Sequence, residues 1–254
     1  MNDRPSDVTA LPDLSQAHAR SGPVRARHPV YVDLLPPCNT GCPAGENIQA
    51  WLAHAMEGRH EQAWRALVAD NPLAAIHGRI CYHPCETGCN RANLDSAVSI
   101  HSIERFLGDL ALERGWQFDS PPVSTGKRVL VIGSGPSGLS AAYHLARRGH
   151  EVEIRDAGAE PGGMMRYGIP AYRMPRDVLT GELDRILALG VKLTSNHRVE
   201  DLAAERDEGG FDAVFAAVGA HLSKRVEIPA GDAGRIVDAV SFLRSVASGE
   251  KPVI

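Results

Sequence analysis

The sequence predicts an α/β protein in two parts: an all-α N-terminal domain and, behind it, a doubly wound parallel sheet. Three observations carry this. From Lys127 a short apolar run, Val129 to Ile132, leads into glycines at G-x-G-x-x-G spacing and then into a helical pattern; strand, glycine turn and helix in that order make a βα unit. Ahead of it, apolar residues recur at helical rather than strand spacing. Between the two, QFDSPPVSTG has the Pro, Ser and Gly content of a linker.

The chain's 254 residues suffice for one large or two modest domains, and 43% hydrophobic residues supply a core. A formal net charge of −4 points to neither a nucleic acid nor a membrane surface as partner. The start, MNDRPSDVTALPD, has no apolar export region, and no stretch has membrane-spanning length. All five cysteines fall in two tight groups before residue 90. Without an export signal, such clustering reads as metal binding in a cytoplasmic protein rather than as a disulfide framework.

In chain order, residues 1–30 are polar and proline-bearing, and read as a flexible arm. Residues 31–116 form the helical domain. Ile48, Trp51, Leu52, Ala55 and Met56 mark one helix before Gly58, and Ala63, Trp64, Leu67 and Val68 a second that Asn71-Pro72 stops. A third runs from about Val98 to Arg114, with Ile100, Ile103, Leu107 and Ala111 on its inner face and Gly115 at its end. Residues 117–126 are the linker, and 127–254 the α/β domain. There Glu151 to Arg155 reads as a strand, Arg176 to Leu189 as a helix, Val191 to Thr194 as a strand, and Ala213 to Val218 as a further buried strand.

The glycine turn is the most specific feature. Gly133 permits the tight turn, Gly135 lets backbone approach a pyrophosphate, and Gly138 lets helix and strand pack closely. The helix N-terminus offers unpaired N–H groups and the positive end of its dipole. Asp156, eighteen residues past Gly138, is placed to hydrogen-bond a ribose hydroxyl. The order of these parts predicts a dinucleotide site.

Cys38 and Cys42 lie in PPCNTGCPAG; Cys81, Cys85 and Cys89 lie in GRICYHPCETGCN. Thiolates so spaced, with Pro and Gly bending the chain between them, can wrap an iron–sulfur cluster. Zinc, with His77 or His83 as extra ligands, is the rival. The C-x3-C-x3-C spacing would fit one helical face, but Pro84 and Gly88 argue for a loop. Helical spacing puts Glu104 on an apolar face, where a free charge is costly; it is either a ligand or half of a buried pair with Arg79 or Arg91. No hydrolase signature such as G-x-S-x-G or H-E-x-x-H is present.

Two long stretches carry a resemblance. GSGPSGLSAAYHLARRGHEVEIRDAGAEPGGMMRYGIPAYRMP resembles the FAD-binding segment of the glutamate synthase small-subunit family. CPAGENIQAWL, DNPLAAIHGRICYHPCETGCNR and VSIHSIERFLGD resemble the N-terminal iron–sulfur domain shared by that family and dihydropyrimidine dehydrogenases. The resemblance implies an all-α 4Fe-4S domain followed by a partial Rossmann-like FAD-binding domain. For FAD it implies Gly133, Ser134, Gly135, Pro136, Ser137, Gly138, Asp156, Gly162, Gly163, Arg173, Val199 and Gly219. For iron, the family pairing implies Cys42, Cys81 and Cys85 with Glu104 at one cluster, and Cys38 and Cys89 at a second. The second lacks two ligands, because RHPVYVDLLPP stands where the family has a leading C-x2-C pair. One cluster is therefore expected, with Cys38 or Cys89 as the alternative to Glu104.

The family's NADPH domain and the closing Gly-Asp segment of its FAD site are not found in these residues, so NADPH is expected only with such a domain supplied. The implied function is electron transfer in an NAD(P)H-dependent FAD/iron–sulfur oxidoreductase. Electrons would pass to a partner subunit, either resembling the glutamate synthase large subunit or belonging to another oxidoreductase. The competing reading is a non-catalytic module that keeps the fold without the nicotinamide site.

Overall fold

A computed structural model describes residues 35–120, 123–221, 229, 231 and 236–250; the expected arm at 1–30 lies outside them. From Pro36 onward the chain packs as one compact unit.

Six helices build the N-terminal half: α1 (Pro37–Gly41), α2 (Ile48–Met56), α3 (His60–Val68), α4 (Ala74–Ile80), α5 (Pro84–Thr87) and α6 (Ile100–Arg114). The periodicity located α2, α3 and α6 to within a few residues. Their apolar faces meet around Ile48, Trp51, Trp64, Leu67, Leu107 and Ala111, all buried. One correction concerns the cysteine segment: Pro84–Thr87 is a single helical turn rather than open loop, and the chain ahead of it, Ala74 to Ile80, is a helix for which no expectation was stated. Pro84 opens that turn, where its missing N–H costs nothing, and Gly88 caps it.

The crossing of α4 and α6 fixes the site. A Cβ added to Gly108 would stand 2.3 Å from Ala75 N, and one added to Gly78 would stand 2.5 Å from Arg105 Cα. The two backbones touch, which brings Glu104 of α6 beside the chain that enters and leaves α4. Arg79 of α4 pairs with Asp109 of α6 at 2.6 Å, so Glu104 does not take it as a buried partner. Arg91 pairs instead with Asp95, at 2.5 Å.

The second half is a parallel sheet in the order β3-β2-β1-β4, from β1 (Arg128–Ile132), β2 (Glu151–Arg155), β3 (Lys192–Thr194) and β4 (Ala213–Ala216). The β1–β2 crossover is α7 (Pro136–Arg147). Beyond β2 come α8 (Met164–Tyr167), α9 (Arg176–Leu187), α10 (Leu202–Gly209) and α11 (Ala239–Ala247). The expectation of a buried strand at Ala213–Val218 fails: β4 ends at Ala216, pairs only with β1 among the described residues, and leaves Phe215 41% exposed.

The two halves share a core. Tyr143, His144 and Arg147 of α7 reach the carbonyls of Val68, Asp70 and Ala69 at 2.5, 3.3 and 2.8 Å, meeting acceptors that the end of α3 leaves unpaired. Burial pushes the Tyr143 hydroxyl up to about 12, so it stays a donor. From α9, Arg185 stacks over Trp64 and Phe118, 5.1 and 5.7 Å from their ring centres. Phe118, inside the expected linker, is itself buried and stacks on Trp64 at 5.6 Å. The segment between the halves is pinned by its aromatic side chain.

Candidate functional site

The cysteines sit where short helices meet. Cys38 lies in α1, Cys42 caps its end, Cys81 caps α4, Cys85 lies in α5, and Cys89 precedes a 3-10 turn at Asn90–Asn93. All five are free thiols. Cys42, Cys81 and Cys85 are grouped, with Cys42 and Cys81 each in electrostatic reach of Cys85. Burial is the main influence that pushes the Cys85 thiol up to about 12, and the charges of Cys42 and Cys81 add to it. Burial also raises Cys42, against N–H donors from Glu46, Ala44 and Gly45. Cys81 is raised by burial and by the charges of Glu104, Glu46 and Glu86, against a hydrogen bond from His83 N at 3.3 Å.

These surroundings fit a cluster. N–H groups aimed at sulfur stabilise thiolates and tune a cluster's potential, and a bound cation reverses the burial penalty by deprotonating the thiols outright. Among the described residues no three His, Cys, Asp or Glu side chains converge as one lone metal ion requires. A 4Fe-4S cluster asks for a different arrangement, with one iron for each thiolate.

Glu104 is buried on α6. Burial, and secondly the charge of Glu46, push its carboxyl up to about 9. Its charge is one of those that act on Cys81. Cys38 and Cys89 have other neighbours. Cys38 Sγ faces Asn39 Oδ1 at 3.8 Å, and the Cys89 thiol is drawn down chiefly by the N–H of Val98, with Arg91 and Ala92 helping.

The glycine turn leaves β1 and enters α7. Gly133 has φ 101°, a left-handed backbone that favours glycine, and a Cβ there would stand 2.4 Å from Ala217 O. At Gly138 a Cβ would fall 1.8 Å from Gly133 O, so strand and helix touch at this point. Gly135 differs from both. Its φ of −72° and ψ of −178° suit any residue, and a Cβ there meets only Gly163 Cα, at 4.0 Å. Neither fold nor packing demands glycine at 135, which suits the expected backbone approach of a ligand. Pro136 and Ser137 form the first turn of α7, directly after Gly135, with no side chain capping its N–H groups.

Gly162 and Gly163 pack against this turn: Gly162 N donates to Ser134 O at 3.0 Å, and a Cβ on Gly163 would stand 2.8 Å from Gly135 Cα. Asp156 closes the end of β2. Its Oδ2 accepts from Ser134 N and Oγ at 2.6 and 2.5 Å, and its Oδ1 accepts from Gly158 N at 2.6 Å. A carboxylate has about four lone-pair sites, so capacity remains for a hydroxyl. Gly219 lies three residues past β4 with φ 71°. Val199 packs against Leu130, Ile132 and Phe211. Arg173 faces the helical half, lining a cleft of about 250 Å³ with Gly78, Arg79, His101 and Arg105.

Sequence reasoning passed over Glu46 and Asn71. Both are buried and polar, and they are linked to each other and to Glu104. Glu46 lies between Gly45 and Asn47, and Asn71 between Asp70 and Pro72, so each reads as an ordinary loop residue that no periodicity marks.

An all-α cluster domain ahead of a Rossmann-like dinucleotide domain defines a class of iron–sulfur oxidoreductase components. Residues 34–116 match the family described as dihydropyrimidine dehydrogenase domain II, 4Fe-4S cluster, and residues 131–174 match NAD(P)-binding Rossmann-like domains. The chain is similar to the β subunit of the NADP(+)-dependent formate dehydrogenase of Moorella thermoacetica, 38% identical over 83% of this chain and 33% of that one. It is 36% identical to the β subunit of the NADPH-Fe(3+) oxidoreductase of Geobacter sulfurreducens, over 84% of this chain and 33% of the relative. The glutamate synthase [NADPH] small chain of Mycobacterium tuberculosis is 36% identical over 82% of this chain and 43% of its own length. The resemblance to glutamate synthase small subunits therefore holds, and extends to NADPH-linked β subunits. The chain spans one third to under one half of these relatives.

Proposed function

We propose that this chain is the electron-transfer portion of an NAD(P)H-dependent FAD/iron–sulfur oxidoreductase. One observation carries the reading: the thiol trio with its buried carboxylate, and the crevice at Gly135, are built into one compact unit held together by α7 and α9. Bound FAD would convert two-electron to one-electron chemistry, and a 4Fe-4S cluster would store single electrons.

The chain's own residues bind and position. Gly135, Gly163 and the first turn of α7 receive the pyrophosphate, with Ser134, Pro136, Ser137, Gly133, Gly138 and Gly162 shaping that crevice. Asp156, already oriented by Ser134 and Gly158, takes a ribose hydroxyl. Cys42, Cys81, Cys85 and Glu104 hold the cluster, while Cys38 and Cys89 serve as reserve thiols. No side-chain acid or base is needed. Relatives named as β subunits or small chains motivate an electron-accepting partner subunit. No helix among the described residues is long and apolar enough to cross a membrane, and we place the protein in the cytoplasm.

Anaerobic reconstitution followed by metal, sulfide and flavin analysis tests the reading. About four irons and four sulfides per chain are expected, with one FAD. Cys85→Ser should lose the iron and retain the flavin. Stoichiometric zinc without sulfide would contradict the proposal.

A further inference from the structure

Behind the thiol trio, three buried polar side chains form a closed hydrogen-bonded unit, and the middle one is Asn71. It lies between α3 and α4 and is 2% exposed. Its Nδ2 donates to Glu104 Oε1 at 2.8 Å and to Glu46 Oε1 at 2.8 Å. Its Oδ1 accepts from Leu73 N at 3.1 Å and from His77 Nδ1 at 2.8 Å, the ring carrying its hydrogen there. Both donors and both lone pairs are thus in use. The amide cannot turn over, because Oδ1 would then face two carboxylates and Nδ2 would face two N–H groups.

The second carboxylate, Glu46, is also close to the thiols, its N–H donating to Cys42, but it is firmly held. Glu46 Oε2 accepts from Trp51 Nε1 at 3.1 Å, and Trp51 is fully buried. Glu104 is held differently. Asn71 takes one oxygen, and Oε2 receives no hydrogen bond among the described residues. The Cys81 thiol lies in the field of this carboxylate. A carboxylate pinned by one oxygen and bare at the other is a preorganised single-oxygen ligand.

We propose that Asn71 is a positioning residue for the cluster: by clamping one oxygen of Glu104 against Glu46, it turns the other toward Cys42, Cys81 and Cys85. This rests on the reading of Glu104 as a ligand. Partners that orient a metal ligand from behind typically govern metal affinity by 10- to 100-fold, so losing the clamp should loosen the cluster without emptying the site.

The test compares Asn71→Ser, too short to bridge, with Glu104→Ala and the double variant, each as the reconstituted 254-residue chain. Asn71→Asp, of the same shape, replaces the serine variant if that loses its near-ultraviolet circular dichroism. The readouts are the low-temperature electron paramagnetic resonance (EPR) line shape of the reduced cluster and the rate of iron release to a ferrous chelator. Asn71→Ser is expected to release iron at least about tenfold faster and with an altered line shape. Glu104→Ala should do the same, and the double variant should add nothing. If Glu104→Ala alters both readouts and Asn71→Ser neither, the clamp is overturned while the ligand stands. Additive effects in the double variant would reduce Asn71 to packing and also overturn the clamp. If neither single variant changes anything, the ligand reading fails and the clamp with it.

Discussion

Gly135→Val should leave the protein folded and remove its high-affinity flavin binding. The backbone at 135 is extended, and an added Cβ finds only Gly163 Cα at 4.0 Å, so a side chain can leave the backbone there without a clash at its Cβ. A surface change of this kind usually moves stability by less than about 0.5 kcal/mol. The same side chain fills the space a pyrophosphate needs. Each charge-assisted hydrogen bond from backbone N–H to phosphate contributes roughly 1.5–3 kcal/mol. Losing two of them weakens binding by about two to four powers of ten. Gly138→Ala is the contrasting control, since its Cβ would lie 1.8 Å from Gly133 O and the βα unit itself must yield. Flavin titration by fluorescence, paired with thermal melts, separates the two effects. Unchanged affinity in Gly135→Val would show that the crevice holds no pyrophosphate.

The second large effect is expected at Glu182 of α9. Glu182 and Arg185 form a pair at 2.9 Å in which both side chains are almost wholly buried. Glu182→Leu strands the guanidinium between Trp64 and Phe118 and should destabilise the protein by roughly 3–5 kcal/mol. Arg185→Leu should cost less. Burial, against the pull of Arg185, raises the Glu182 carboxyl to about 7, and its Oε2 already lacks a hydrogen bond. Near neutral pH it can therefore take a proton instead of remaining a bare charge. Replacing both by leucine should be nearly neutral.

The sign of the accompanying pH effect follows from the raised value. Between about 4.5, the ordinary carboxyl value, and about 7, the folded state keeps a proton that the unfolded state has lost. The group's contribution is present below that window and is lost as pH rises through it. Urea midpoints of the wild type should fall more steeply across this window than those of the double-leucine variant, which keeps only the decline due to other raised carboxyls such as Glu104. Glu182→Leu as stable as the wild type would refute the pair's structural role.

The fold was legible where one face of an element is buried. Trp51, Trp64 and Leu67, and then Ile100 and Leu107, repeat at helical spacing because α2, α3 and α6 each turn a single face inward. α4 escaped notice for the opposite reason. Ala74, Ala75, Ile76 and Gly78 are all buried, so there is no polar face to set a period, and a glycine inside argues against a helix. The apolar run of β4 looked like a central strand, but a run of side chains does not say whether a second neighbour exists.

The site was legible to the same degree. Cysteine spacing and the glycine turn are local, and they marked the five thiols and the βα turn, while the grouping of Cys42, Cys81 and Cys85 was implied only by the family resemblance. The union of Glu46, Asn71 and Glu104 spans three separated segments and exists only once α4 and α6 touch at Gly78 and Gly108. Asp156 was expected at a ribose; its contacts to Ser134 and Gly158 add the orientation that no spacing rule contains.

Electron passage from flavin to cluster within this one compact unit is tested most directly by low-temperature EPR. Bound FAD in the anaerobically reconstituted chain is photoreduced with EDTA as donor, and samples are frozen as the flavin absorbance bleaches. A reduced 4Fe-4S signal should grow in step with the bleaching and be absent from Cys85→Ser. A fully reduced flavin beside a cluster that stays silent would contradict electron transfer as the role of this chain.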